Sequence, residues 1–244
     1  MKIVKVPGVN GLGRTAGVIE APDKISKDGE KIEINLDDIS EQLKQIYSGA
    51  KKALSVGNAI FIGGDHSISY PIGKAFYEKV GNPCIVIFDA HPDCMPPLRE
   101  PNHEEWLRGI VDLGLDGERV LLISSRKEDK VEIDYMNEKG IKRISVEHVG
   151  KNFDDVLNEI KNHVDGRDVY ISVDIDALDP KIMPATGCPV SEGLTKEELI
   201  DMINAAKEGN FECADLVEYN PWKDEDKNCL KIVREILNVL NGKS

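Results

Sequence analysis

Three short clusters of carboxylate and imidazole groups carry the chemistry this chain could do. Asp89-Ala90-His91-Pro92-Asp93 sets three metal-competent side chains at alternate positions. Asp174-Ile175-Asp176 repeats that spacing, and Gly63-Gly64-Asp65-His66-Ser67 adds a histidine behind two glycines. Residues two apart on an extended chain project to the same side, so each cluster can face one cavity. Gly63 and Gly64 would let the backbone turn tightly ahead of His66. Asp89, Asp93, Asp174 and Asp176 supply four negative charges, which two divalent cations would balance. Without cations such carboxylates crowd together and raise one another's pKa values. Mixed carboxylate and imidazole donors suit Mn²⁺, and also Fe²⁺, Co²⁺, Ni²⁺ or Zn²⁺. Cys94 follows Asp93 and, on a strand, would point away from the set. Asp65 and Asp179 read as residues that hold loops or orient ligands. Taken singly, each cluster could be a turn, a cap or a hydrogen-bonded surface histidine. Their convergence is what argues for a metal site.

That convergence needs a scaffold. Apolar, β-branched runs at 59–62, 84–88, 120–123, 169–173 and 214–217 read as strands. The N-terminal MKIVKVPGVNG reads as a further short strand and turn. Helical periodicity marks 39–54, 68–80, 154–163, 196–207 and 228–240. Alternating strands and helices predict an α/β fold with a mainly parallel sheet and helices on both faces. In such folds ligands bind beyond the carboxyl ends of the strands. Four runs end there in acid or imidazole groups, the last in Glu218-Tyr219-Asn220-Pro221. No repeat or low-complexity block interrupts the chain, which reads as a single domain over 1–244.

Composition narrows the partners. The 244 residues carry a net charge of −13, with 41% apolar and 31% charged residues. That balance argues against nucleic-acid binding, which needs clustered Lys and Arg. It suits a cationic small molecule or metal ions, and equally plain solubility. No apolar run reaches the roughly 18 residues of a membrane span, and the N-terminus lacks a signal-peptide pattern. The five cysteines are scattered and form no CxxC pair, which fits a reducing cytoplasm.

In sequence order, Gly-Gly-Asp-His-Ser at 63–67, Phe-Asp-Ala-His-Pro-Asp at 88–93 and Ser-Val-Asp-Ile-Asp-Ala-Leu-Asp-Pro at 172–180 resemble the ureohydrolases, the arginase and agmatinase family. Pro-Ala-Thr-Gly-Cys-Pro-Val at 184–190 and Glu-Tyr-Asn-Pro at 218–221 extend the resemblance. It implies an arginase-like three-layer α/β/α fold around about eight strands, and two Mn²⁺ per chain. By position, His66, Asp89, Asp93 and Asp174 would hold one ion. His91, Asp89, Asp174 and Asp176 would hold the other, with Asp89 and Asp174 as bridges. The resemblance further implies attack by a metal-bridging hydroxide on a guanidino carbon, releasing urea. Glu218 would pair with the guanidinium, since such groups favour two-point contact with a carboxylate. A homo-oligomer, trimer or hexamer, is also implied.

Two departures bear on the substrate. Family members carry a His-Gly pair after the Asp-x-His-x-Asp cluster, and its histidine passes a proton to the leaving amine. The nearest candidate here is His103, followed by Glu104 rather than Gly, and it takes either that proton-transfer role or the place of a helix-start histidine with no catalytic duty. Arginases recognise the amino-acid head of arginine with Asn, Ser and Thr in the region that reads Cys-Met-Pro-Pro-Leu-Arg-Glu-Pro at 94–101, which argues against strict arginase activity. Arg99 reads as exposed. Cys188 stands where related chains have Thr. The reading is therefore an amidinohydrolase, agmatinase- or arginase-like, with agmatine, arginine and related guanidino acids or amines as candidates and the acidic charge favouring a cationic one such as agmatine. Hydrolysis of a formimino or amide C–N bond at the same site is the alternative. A non-catalytic metabolite-binding scaffold and a two-metal phosphoesterase stand further off.

Overall fold

The computed structural model describes residues 1–11, 13 and 15–242. Its strands are β1 (Lys2–Val6), β2 (Glu30–Lys31), β3 (Ala59–Gly63), β4 (Pro83–Phe88), β5 (Val120–Ile123), β6 (Lys142–Ile144), β7 (Asp168–Asp174) and β8 (Asn210–Val217). They form one sheet in the order β2-β1-β3-β8-β7-β4-β5-β6. Every pairing is parallel. The α-helices are α1 (Ala21–Ile25), α2 (Ile39–Ser55), α3 (Ser69–Lys79), α4 (Trp106–Asp112), α5 (Lys130–Lys139), α6 (Val146–Lys151), α7 (Phe153–Val164), α8 (Lys196–Ala206) and α9 (Asn228–Leu240).

Alternation along each strand builds the three layers. Ile60, Ile62, Val86, Phe88, Leu121, Ile123, Ile171 and Val173 enter one core with α1 and α6 to α9. Their neighbours Phe61, Ile85, Ile87, Val120 and Leu122 enter the opposite core with α2 to α5. A strand buried on both faces is apolar at nearly every position, which is why these runs are continuous. β3 and β4 are consecutive in sequence, yet β8 and β7 lie between them. The connections therefore diverge at the sheet centre, where open α/β folds place their ligands.

One buried group away from that centre sets a pH response. His163 on α7 is buried, and neither ring nitrogen has a hydrogen-bond partner among the described residues. Burial, reinforced by the charge of Arg167, holds its pKa down at about 4. The unfolded chain would protonate this ring near pH 6.5. Between those values the unfolded chain binds a proton that the folded chain refuses, so His163 makes stability fall as pH falls from about 6.5 to about 4. His163→Leu is expected to flatten the thermal midpoint across that window relative to wild type. Parallel wild-type and variant curves would contradict this.

Candidate metal centre

The four central strands, β3, β8, β7 and β4, deliver the acidic and imidazole groups at their carboxyl ends. His66 follows β3 in a short 3-10 turn (His66–Ile68) capped by the Asp65 carboxylate, which accepts from the Ser67 N–H. The glycines before it serve close approach rather than a tight turn. A Cβ on Gly64 would lie 1.9 Å from the Gly8 carbonyl oxygen. Without it the two segments zip together, Gly64 N–H to Val6 O and Asp65 N–H to Gly8 O.

The stretch 89–93 is a loop beyond β4, not a continued strand. Asp93 takes a left-handed φ of 50°, so side-chain alternation alone does not gather Asp89, His91 and Asp93. Hydrogen bonds do. The Asp89 carboxylate accepts from the His91 N–H, and Asp176 accepts from the Ala90 N–H at 3.0 Å. Asp174 ends β7 and caps the 3-10 turn that carries Asp176, accepting its N–H at 2.8 Å. Cys94 packs into the core, away from the cavity.

Two groups of donor atoms result. His66, Asp89 and Asp93 form one, and Asp89, His91 and Asp176 the other, with Asp89 common to both. His66 Nδ1 lies 2.9 Å from Asp89 Oδ2 and 2.9 Å from Asp93 Oδ2. His91 Nδ1 lies 3.0 Å from Asp176 Oδ2. Asp174, expected from the resemblance as a second bridge, falls in neither group. Its Oδ2 is 3.4 Å from His66 Nδ1, while its Oδ1 is held by the Asp176 N–H.

The donor set fits divalent ions. His66 Nδ1 and Asp89 Oδ2 are buried and close, yet neither makes a hydrogen bond among the described residues. One cation would satisfy both. The other imidazole nitrogen is committed: His66 Nε2 is 2.9 Å from Ser172 Oγ, whose hydroxyl donates to Asp215. Asp215 also accepts from Ser69 and Tyr170. This relay leaves the Nδ1 lone pair free for a metal.

Charge crowding makes the same point. Burial and then the neighbouring Asp89 push Asp93 up to about 6. Burial, Asp176 and Asp89 push Asp174 well above the carboxylate range. Burial works against His91 carrying a charge, yet Asp176 and Asp89 draw it up to about 12. Without metal charge, the cluster gathers protons in its place.

His66, His91, Asp93, Asp174 and Asp176 border a cavity of about 680 Å³, with Asp89 buried behind them. Glu218 lines it just beyond β8, also at a left-handed φ, 66°. Glu218 Oε1 accepts the His66 N–H at 3.0 Å, and burial with nearby Asp174 and Asp65 raises its pKa well above normal. A cation in the cavity would reverse that rise. His103 lines the same cavity from the turn before α4, with a buried Nδ1 that has no hydrogen-bond partner among the described residues. Asp179 accepts from Lys181 and Gly193 N–H groups and so holds its loop. Arg99 is exposed.

Two residues that sequence reasoning passed over also support the site. Arg126 donates to the carbonyls of Ser124, Asp176, Val190 and Ser191, tying the loops beyond β5 and β7 to the segment around 190. Trp106 donates its indole N–H to Asp93 Oδ2 at 2.9 Å. Neither carries a local signal, because each acts on partners distant in sequence or outside its own element.

A parallel eight-stranded sheet with carboxylate and imidazole groups gathered at its carboxyl edge defines an α/β protein with a candidate centre for metal ions. The chain matches the model of the arginase family over residues 15–239, and it belongs to that family. It is 30% identical over 214 residues to the mitochondrial guanidino acid hydrolase of Homo sapiens, covering 84% of this chain and 60% of that protein. It is 32% identical over 211 residues to an agmatinase of Bacillus anthracis, covering 83% and 69%. The chain thus spans about two thirds or less of the length of these relatives. The fold superimposes on proclavaminate amidino hydrolase from Streptomyces clavuligerus with a TM-score of 0.90, at 23% identity, covering 98% of this chain and 89% of that one.

Proposed function

We propose that the chain is a metal-dependent amidinohydrolase that cleaves a guanidino compound into urea and an amine, using two Mn²⁺ ions. The observation that carries this is the pair of donor groups sharing Asp89, whose His66, His91, Asp93 and Asp176 line the cavity that Glu218 also lines. His66, Asp89, Asp93 and Asp174 would hold one ion, and His91, Asp89, Asp174 and Asp176 the other. When bound, such ions make hydroxide available from water at neutral pH.

The chain's own groups do the rest. Glu218 faces the guanidinium as a buried anion and orients its carbon, which is a poor electrophile because its charge is delocalised. Asp89, Asp93, Asp174 and Asp176 balance two divalent ions. Glu104 and Asp129 on the cavity wall, set against Lys127, then leave an acidic approach. That balance favours a substrate with a distal amine, such as agmatine, over one with a distal carboxylate. His103 hands a proton to the leaving amine.

His103→Asn is accordingly expected to lower turnover about a hundredfold or more with metal content intact. Near-wild-type turnover would remove His103 from the mechanism. Urea release from agmatine, arginine and guanidino acids in the presence of Mn²⁺ tests the activity itself, with agmatine expected to lead. No turnover across that panel would sink the proposal. The unpaired cysteines support a cytoplasmic location. No helix among the described residues is long and apolar enough to cross a membrane. The same reading takes 1–244 as one domain of a homo-oligomer, a trimer or hexamer.

A further inference from the structure

Trp106 opens α4 and is fully buried. Its indole N–H donates to Asp93 Oδ2 at 2.9 Å, and that same oxygen lies 2.9 Å from His66 Nδ1. Its ring packs on the His66 imidazole with centroids 4.7 Å apart, tilted by 39°. One rigid side chain thus touches two members of the first donor group. The second group has other supports: the Ala90 N–H on Asp176, and Arg126 on the Asp176 carbonyl.

We propose that Trp106 is a positioning residue that pre-organises the His66–Asp93 half of the centre and sets its ion affinity apart from that of the His91–Asp176 half. The inference rests on the metal-centre reading above. A carboxylate is free to rotate about its Cβ–Cγ bond, and a donor fixed to one oxygen stops it. Asp93 needs that restraint, because its left-handed backbone is held only by surrounding contacts. The imidazole of His66 is gripped between the Trp106 ring on one side and the Ser172 hydroxyl at Nε2. Outer partners of this kind hold ligand orientation, and their loss typically weakens metal binding about 10- to 100-fold.

The test is a calorimetric titration of metal-free wild type and Trp106→Phe with Mn²⁺, followed by electron paramagnetic resonance. Wild type is expected to take two ions and give a spin-coupled pair. Trp106→Phe should keep one ion at wild-type affinity and take the other about 10- to 100-fold more weakly. At two equivalents its spectrum should then show the six lines of an isolated ion. Two ions at wild-type affinity in the variant, or equal weakening of both, would overturn the proposal. Wild type taking no ion would overturn the metal reading itself, and the proposal with it.

A second measurement avoids altering the packed core. The chain has two tryptophans, and Trp222 is 62% exposed. In Trp222→Phe the remaining indole emission belongs to Trp106. It should change during the filling of one ion site and stay level during the other. Emission unmoved through both equivalents would contradict contact between Trp106 and the centre.

Discussion

Asp89→Asn is expected to lower urea release about a thousandfold or more and to leave the purified protein with less than one ion per chain. Asp89 is the residue common to both donor groups, and its two oxygens face different partners. Oδ2 lies 2.9 Å from His66 Nδ1, and Oδ1 lies 3.6 Å from His91 Nδ1. An asparagine keeps one acceptor oxygen and replaces the other with an NH₂ group that repels a cation. Each of the two proposed ions would then lose a ligand, along with the negative charge that offsets its own. Metal-assisted hydrolysis draws several kcal/mol of barrier lowering from such ions, and each 1.36 kcal/mol is a factor of ten in rate. Metal content after gel filtration and urea release, measured on one preparation, check both halves of the expectation. A variant that keeps two ions and full turnover would remove Asp89 from the centre.

Glu218→Gln is expected to lower kcat/KM about a hundredfold to a thousandfold while the metal content stays at the wild-type level. The substitution preserves shape, and the amide oxygen can still accept the His66 N–H that Oε1 accepts now. What it removes is the charge proposed to answer the guanidinium. Truncating one partner of a buried, hydrogen-bonded charge pair costs about 2–5 kcal/mol, which sets the scale of the loss. A fall confined to bound metal would instead make Glu218 a support of the ion site. A guanidino compound that still binds and turns over as before would leave Glu218 as an ordinary buried carboxylate on a strained turn.

The sheet was legible in the sequence wherever strands are buried on both faces. The runs 84–88 and 120–123 are apolar throughout, and the structure places β4 and β5 there. β2 and β6 were not legible. They are two and three residues long at the sheet edges, and largely exposed, so no apolar pattern marks them. The helix at 228–240 was legible to the residue, because its apolar face enters one core along its whole length, beside α1 and α8.

The candidate site divides the same way. Residue types at strand ends pointed to the groups that the structure gathers on one cavity. Their local geometry was hidden. Asp93 reaches the cluster through a left-handed turn, and Gly64 is small because Gly8 passes against it. Both facts depend on backbone contacts distant in sequence. Arg126 and Trp106 were hidden for a related reason. A guanidinium that binds carbonyls 50 and 64 residues away, or an indole that clamps a carboxylate 13 residues back, has no local spacing to reveal it.

Metal analysis of wild-type protein reconstituted with Mn²⁺ and freed of loose ions bears most directly on the two-ion centre. Two donor groups that share Asp89 predict two ions per chain, close enough to couple magnetically. One ion per chain, or none, would contradict a binuclear centre at the carboxyl edge of this sheet.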